Sequence, residues 1–305
     1  MIIYKKNIIM EKIYLVLFVF VSLLFSCNDE EEYLYNEYSQ DNYFAPSEDA
    51  TDEESVLRRD FFNSTGVYLI YNDTLASYNV VSLSGDTNVV KDVLSPGYSM
   101  TNTYGIDKFS YAYYKEIELK QQAANFIKEK ILTKLPKEMY PYSFFLTKFA
   151  QISESSYGSY KDPVSIIIYN GMHCTLVALG DLSAKSSAEL DDLESLVLKE
   201  MIIAQINKIP QEEFENFYSY SKDYYNIFSW DIPSPYKSVG FLDTYIYSWS
   251  VTFNSPEYDI KAYLEELFSM TKDEFITTYA DYPICIEKME EMLKVLNLHG
   301  INVYE

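Results

Sequence analysis

SAELDDLESLVLKEMIIAQINKIP, residues 187–210, is the longest uninterrupted run of good helix formers near the middle of the chain, and it predicts a helix. Ser187 is placed to cap its start. Glu189, Asp191, Asp192 and Glu194 fall in the first turns, where the positive end of the helix dipole favours acids, and Pro210 ends the run. Apolar Leu190, Leu193, Leu196, Val197, Met201, Ile202, Ile203, Ala204 and Ile206 make more than a single stripe, so the helix is expected to be mostly buried.

Upstream of this helix the pattern reads mainly as strands. Residues 67–71, 142–151, 164–169 and 172–179 are β-branched or aromatic runs, and Asn170-Gly171 between the last two is a strong hairpin signal. Residues 89–94 fit a short strand or half a helix. Helices are expected over 53–62 and, longer, over 111–135, where Leu135-Pro136 ends the run. Downstream, a short helix at 211–217 leads into an aromatic loop over 218–247, and helices follow over 256–270, 272–280 and 282–297, with Gly300 as a stop. Neither repeats nor βαβ alternation occur. The class is therefore α+β, an N-terminal mixed sheet with long helices followed by a mainly helical C-terminal part.

The start of the chain reads as an address. Lys5, Lys6 and Lys12 precede an apolar run, Ile13 to Phe25, that is short for a membrane span, and residues 1–26 are expected to be a secretory signal. Leu24-Phe25-Ser26-Cys27 is similar to a bacterial lipobox, which implies lipid on Cys27, and Asn28-Asp29-Glu30-Glu31-Glu32 resembles the acidic signal that sends such lipoproteins to the outer face of the outer membrane. Residues 27–52 are acidic and without periodicity, an expected flexible stalk, and 53–305 form the folded domain.

A net charge of −22, more negative still without residues 1–26, argues against nucleic acid as a partner and against electrostatic adhesion to anionic lipid. The expected membrane contact is then the lipid on Cys27. Beyond the signal, Cys174 and Cys285 are the remaining cysteines, read as buried thiols rather than as a bridge, and with no CxxC there is no thiolate metal or redox motif.

Four segments, in order and at suitable spacing, carry a wider resemblance: residues 59–75, residues 135–142 with Leu135-Pro136-Lys137-Glu138-Met139-Tyr140, the 187–210 helix, and Ser255-Pro256-Glu257-Tyr258-Asp259 with the helix after it. Together with the tail over 282–303, they make the chain similar to the zinc-dependent metallopeptidase lipoproteins of Bacteroidota, which are zincin-like and often encoded beside starch-utilisation-type importers. The resemblance implies a zincin-like fold. It also implies a zinc helix with H-E-x-x-H in the frame of residues 199–203, where the two His would be ligands and the Glu the base.

This chain has Lys199, Glu200 and Ile203 in that frame, so only the Glu is kept. The resemblance assigns an acidic third ligand to the 255–259 stretch, Asp259 first and Glu257 next. An ammonium about 4 Å from a dication costs roughly 8 kcal/mol at an effective dielectric near 20, and Ile has no lone pair, so zinc is expected to be lost and no metal or cofactor is expected. The two His, His173 and His299, stand at no ligand spacing. Lys199 is expected to stand in for the metal charge beside Glu200 or Asp259.

The expected function is a non-catalytic binding or accessory lipoprotein of an outer-membrane importer, with a peptide or glycan as ligand. An active hydrolase, metal-dependent with unusual ligands or glycan-acting, is the alternative. With 31 Tyr in the chain, the loop after the 187–210 helix offers Tyr218, Tyr225, Tyr245, Tyr247 and Trp249 as ligand contacts.

Overall fold

The computed structural model describes residues 42–81, 85–98, 105–242 and 255–304. Cys27, Tyr245, Tyr247 and Trp249 lie outside the described residues. The chain is mixed α and β, with sheets and helices in its N-terminal part and helices in its C-terminal part. In order come α1 (Glu53–Thr65), β1 (Tyr68–Ile70), β2 (Thr74–Val81), β3 (Thr87–Val93), β4 (Lys108–Ala112), α2 (Ile117–Phe126), β5 (Ser143–Thr147), β6 (Phe149–Ser153), β7 (Ser155–Ser156), β8 (Ser159–Tyr160), β9 (Val164–Ile166), β10 (Ile168–Asn170) and β11 (Thr175–Ala178). Then follow α3 (Ser187–Gln205), α4 (Glu215–Ser219), α5 (Pro256–Leu267), α6 (Lys272–Thr278) and α7 (Pro283–Leu298).

A four-stranded sheet in the order β1-β5-β11-β10 is the centre of the fold, with β5 parallel to both of its neighbours. Every residue of β5, SFFLT, is buried, as a strand with partners on both edges and packing on both faces requires. Alternation along the strands divides two cores. Phe144, Leu146, Leu69 and Val177 enter the main core, whereas Phe145, Ile70 and Leu176 enter a second one with Leu94, Ala150 and Cys174. Onto the main core α3 lays Leu193, Val197, Met201 and Ile202, beside Tyr263 and Leu264 of α5 and Met289 and Met292 of α7.

The burial of α3 is one-sided, narrower than the sequence predicts: Leu190 and Ile203 are half-buried and Ala204 is exposed. Its cap is Ser186, not Ser187. The Ser186 hydroxyl accepts from the Glu189 N–H while the Glu189 carboxylate accepts from the Ser186 N–H at 2.8 Å, and only Ser186 has an acid three residues ahead of it.

Two expected strands each divide between sheets. The run over 142–151 breaks at Lys148, so that β5 stays in the central sheet while β6 pairs with β4 and β9 in a three-stranded sheet. The run over 164–169 breaks at Ile167 in the same way, into β9 and β10. Switching sheets lets one stretch of chain pack on two cores. The helix expected from 111 starts at Ile117, because Tyr111 is held in β4 opposite Ala150, and after Phe126 it loosens into a π turn over Ile127–Ile131. Residues 89–93 resolve as part of the strand β3, and Leu94 follows it.

The hairpin at 170–171 forms, with Asn170 opposite Thr175, but its turn spans four residues and the Gly171 N–H donates to the Cys174 carbonyl at 2.9 Å. Glycine is needed there for space. A Cβ would lie 2.2 Å from the Pro96 carbonyl oxygen. The compact unit begins at Phe44 rather than at 53. Arg58 donates to the Phe44 carbonyl and Arg59 to the Ser47 carbonyl, each at 2.8 Å, which ties residues that the sequence assigns to the stalk onto α1.

Candidate functional site

Lys199, Glu200 and Ile203 lie in the fourth and fifth turns of α3, beside the edge strand β10. Asn170 of that strand donates its side-chain amide to the Glu200 carbonyl at 3.2 Å, and Thr175 donates to the Asn170 side-chain oxygen at 3.1 Å, which clips the helix to the sheet. Lys199 Nζ stands 3.5 Å from Glu200 Oε1, with both side chains partly in water. Such a pair is worth about 0–1 kcal/mol. Ile203 packs its hydrocarbon on the main core. Lys199→Met is therefore expected to change stability by no more than about 1 kcal/mol, read from urea unfolding.

Asp259 belongs to a different partner. It sits in the first turn of α5, behind the Ser255 cap and Pro256, and is buried. The expectation that Lys199 neutralises it is corrected here: Lys288 of α7 donates to Asp259 Oδ2 at 2.5 Å, and the two side chains are 0% and 1% exposed. Tyr225 donates its phenol to the same oxygen at 2.5 Å. Lys288 also donates to Ser221 Oγ at 2.8 Å, and the Ser221 hydroxyl donates onward to the Val239 carbonyl at 2.7 Å. Four aromatic rings surround the ammonium, those of Phe217, Tyr263, Phe241 and Tyr225, with centroids 4.4, 5.1, 5.2 and 6.0 Å from Nζ. Their negative faces supply part of what water would.

Burial pushes the Asp259 carboxyl up and the Lys288 amine down, and the attraction between them opposes both shifts. Burial, then the neighbouring Asp259, pushes the Tyr225 phenol up, so it stays a hydrogen-bond donor. Asp259 Oδ1 is buried with no hydrogen-bond partner.

A serine hydroxyl 2.8 Å from a lysine whose amine is shifted down is the pairing that serine–lysine hydrolases use. Here it cannot attack anything. Ser221 is fully buried, its proton is directed at the Val239 carbonyl, and the amine beside it is engaged by Asp259. The constellation works as a lock that joins the 221–241 loop, α5 and α7.

Zinc does not fit the residues of the α3 frame. Where the resemblance implies two imidazoles, the frame holds an amine 3.5 Å from Glu200 and a hydrocarbon, and Asp259, the acid that it implies, is bound to Lys288. Among the described residues, no three His, Cys, Asp or Glu side chains converge as metal ligands. Glu257 is exposed. His173 lies in the β10–β11 turn, its ring stacked on Tyr98 at 6.0 Å, and His299 pairs with Glu213 at 2.7 Å.

Of the expected ligand contacts, Tyr218 and Tyr225 turn inward. Tyr218 donates to the Gln211 side chain at 2.6 Å and packs edge-on against Tyr225, whose hydroxyl is held by Asp259. The exposed aromatics of the described part of this loop are Phe228 and Trp230, stacked in parallel. Sequence reading missed Ser221, Lys288 and Trp230. One signal was available for Lys288: it interrupts the apolar stripe Cys285, Met289, Met292 of the last helix, a position where an unpaired cation is not tolerated. Comparison of the chain with family models, with curated proteins and with solved structures finds no match.

Proposed function

We propose that this protein is a zincin-like surface lipoprotein whose zinc site has been lost and which works by binding, as a non-catalytic accessory component of an outer-membrane nutrient uptake system. One observation supports this above the others. Where the resemblance requires two imidazoles one helical turn apart, α3 carries Lys199 and Ile203, and Asp259 is committed to Lys288 at 2.5 Å. With no Lewis acid, Glu200 has no acidified water on which to act as base. In this reading Cys27 carries the lipid that holds the chain to the membrane, and the domain meets a peptide or glycan before an importer does.

The hydrolase alternative gains nothing from Ser221 and Lys288, which are closed to substrate. Metal analysis separates the two readings. The purified chain, incubated with excess zinc and then dialysed, is expected to retain far less than one zinc per chain, with no zinc-dependent peptide cleavage. One zinc per chain after dialysis, removed by chelator together with a peptidase activity, overturns the proposal.

A further inference from the structure

We propose that Trp230, stacked on Phe228, is a platform for a neutral sugar ring. The two rings lie 4.7 Å apart at an interplanar angle of 6°, and Trp230 is 67% exposed. Tryptophan is on average one of the more buried residues, because its large apolar surface gains most from leaving water. An indole left mostly in water and held flat by a second ring is ready for a ligand that covers its face.

The turn that carries the platform is anchored by the chain's own contacts. Ile227 on one side and Ile232 on the other are packed in a small core with Val239 and Phe241, and the Asp231 N–H donates to the Phe228 carbonyl at 2.9 Å, closing the turn that carries Trp230. A preformed surface loses little conformational entropy on binding.

The surroundings select the ligand class. The chain next to Trp230 is exposed and polar or proline: Asn226, Asp231, Pro233 and Ser234. Among the described residues of this loop, Phe228 and Trp230 present a flat apolar surface with exposed polar residues next to them in the chain, smaller than the apolar patch that the core of a protein interface needs. A pyranose matches it, with C–H groups on one face and hydroxyls around the rim. The net charge of −22 turns away uronic or sulfated polymers and nucleotides, which leaves neutral glycans.

This assigns a ligand class to the binding role proposed above and rests on that reading only in treating the protein as a binder. It stands whatever the zinc measurement gives. The test is calorimetric titration of the full chain with neutral oligosaccharides (maltoheptaose, cellohexaose, xylohexaose and mannohexaose), with polygalacturonate and a proline-rich peptide as competitors. At least one neutral oligosaccharide is expected to bind. Trp230→Ala is expected to weaken that binding by about tenfold or more with an unchanged melting temperature, and Trp230→Phe is expected to recover part of it. Absence of binding by all four, equal binding by Trp230→Ala, or preference for the acidic polymer or the peptide overturns the proposal.

Discussion

Lys288→Met is expected to destabilise the fold by about 4 kcal/mol at pH 7. Methionine fills nearly the same volume, so the loss is electrostatic. It leaves Asp259 buried, with one oxygen bonded to Tyr225 and the other to nothing. The variant has two ways to respond. It can keep a buried charge with no counter-ion, or it can protonate Asp259. Protonation from the ordinary value of 3.8 costs about 1.4 kcal/mol per pH unit, roughly 4 kcal/mol at neutral pH, and so caps the penalty.

The pH dependence has a definite sign. In the variant the folded-state pKa of Asp259 lies above its unfolded value, because burial raises it and the lysine no longer opposes the shift. The folded state then binds more protons, and stability falls as pH rises above about 4. The difference between wild type and variant should accordingly shrink as pH is lowered from 7 towards 4. Urea unfolding at several pH values reads this directly; a pH-independent difference would show that Asp259 is not the group responsible.

Gly240→Ala is expected to cost about 2–4 kcal/mol, the sum of a backbone and a packing effect. Gly240 has φ +88°, and a Cβ placed on it would lie 2.8 Å from Lys288 Cδ, 2.9 Å from Ile284 Cγ2 and 3.0 Å from Ser221 Oγ. Its carbonyl also accepts from the Tyr263 hydroxyl at 2.9 Å, so a shift of the backbone to relieve the clash disturbs a second buried bond. Gly300 provides the control. It has φ +75°, but a Cβ added there would meet nothing within 4 Å, so Gly300→Ala should show the backbone part alone, about 1 kcal/mol. Equal losses in the two variants would mean that the crowding at Gly240 is relieved cheaply.

The helices were largely legible in the sequence, because their caps and stripes are local. The helix starts expected at 256 and 272 and the Gly300 stop agree with the structure, and each depends on neighbours within one turn. Sheet membership was less so. Nothing local at Lys148 or Ile167 announces that the chain leaves one sheet for another, since both sides of each break are equally apolar and β-prone. The candidate site divides along the same line. The amine and hydrocarbon at 199 and 203 are visible in sequence, and so is the acid at 259. Its partner 29 residues away on another helix is a tertiary choice. The requirement for glycine at 240 follows from that choice.

Asp259 and Lys288 are bound to each other as a packing pair rather than held ready for a metal or a substrate, and the double-mutant cycle Asp259→Leu, Lys288→Met measures that coupling. The double variant is expected to lie within about 1–2 kcal/mol of wild type, since a buried ion pair is replaceable by hydrocarbon of similar volume, and to regain most of what Lys288→Met alone loses. A double variant as unstable as the sum of the two single variants would mean that the two residues act independently, and would contradict the pairing.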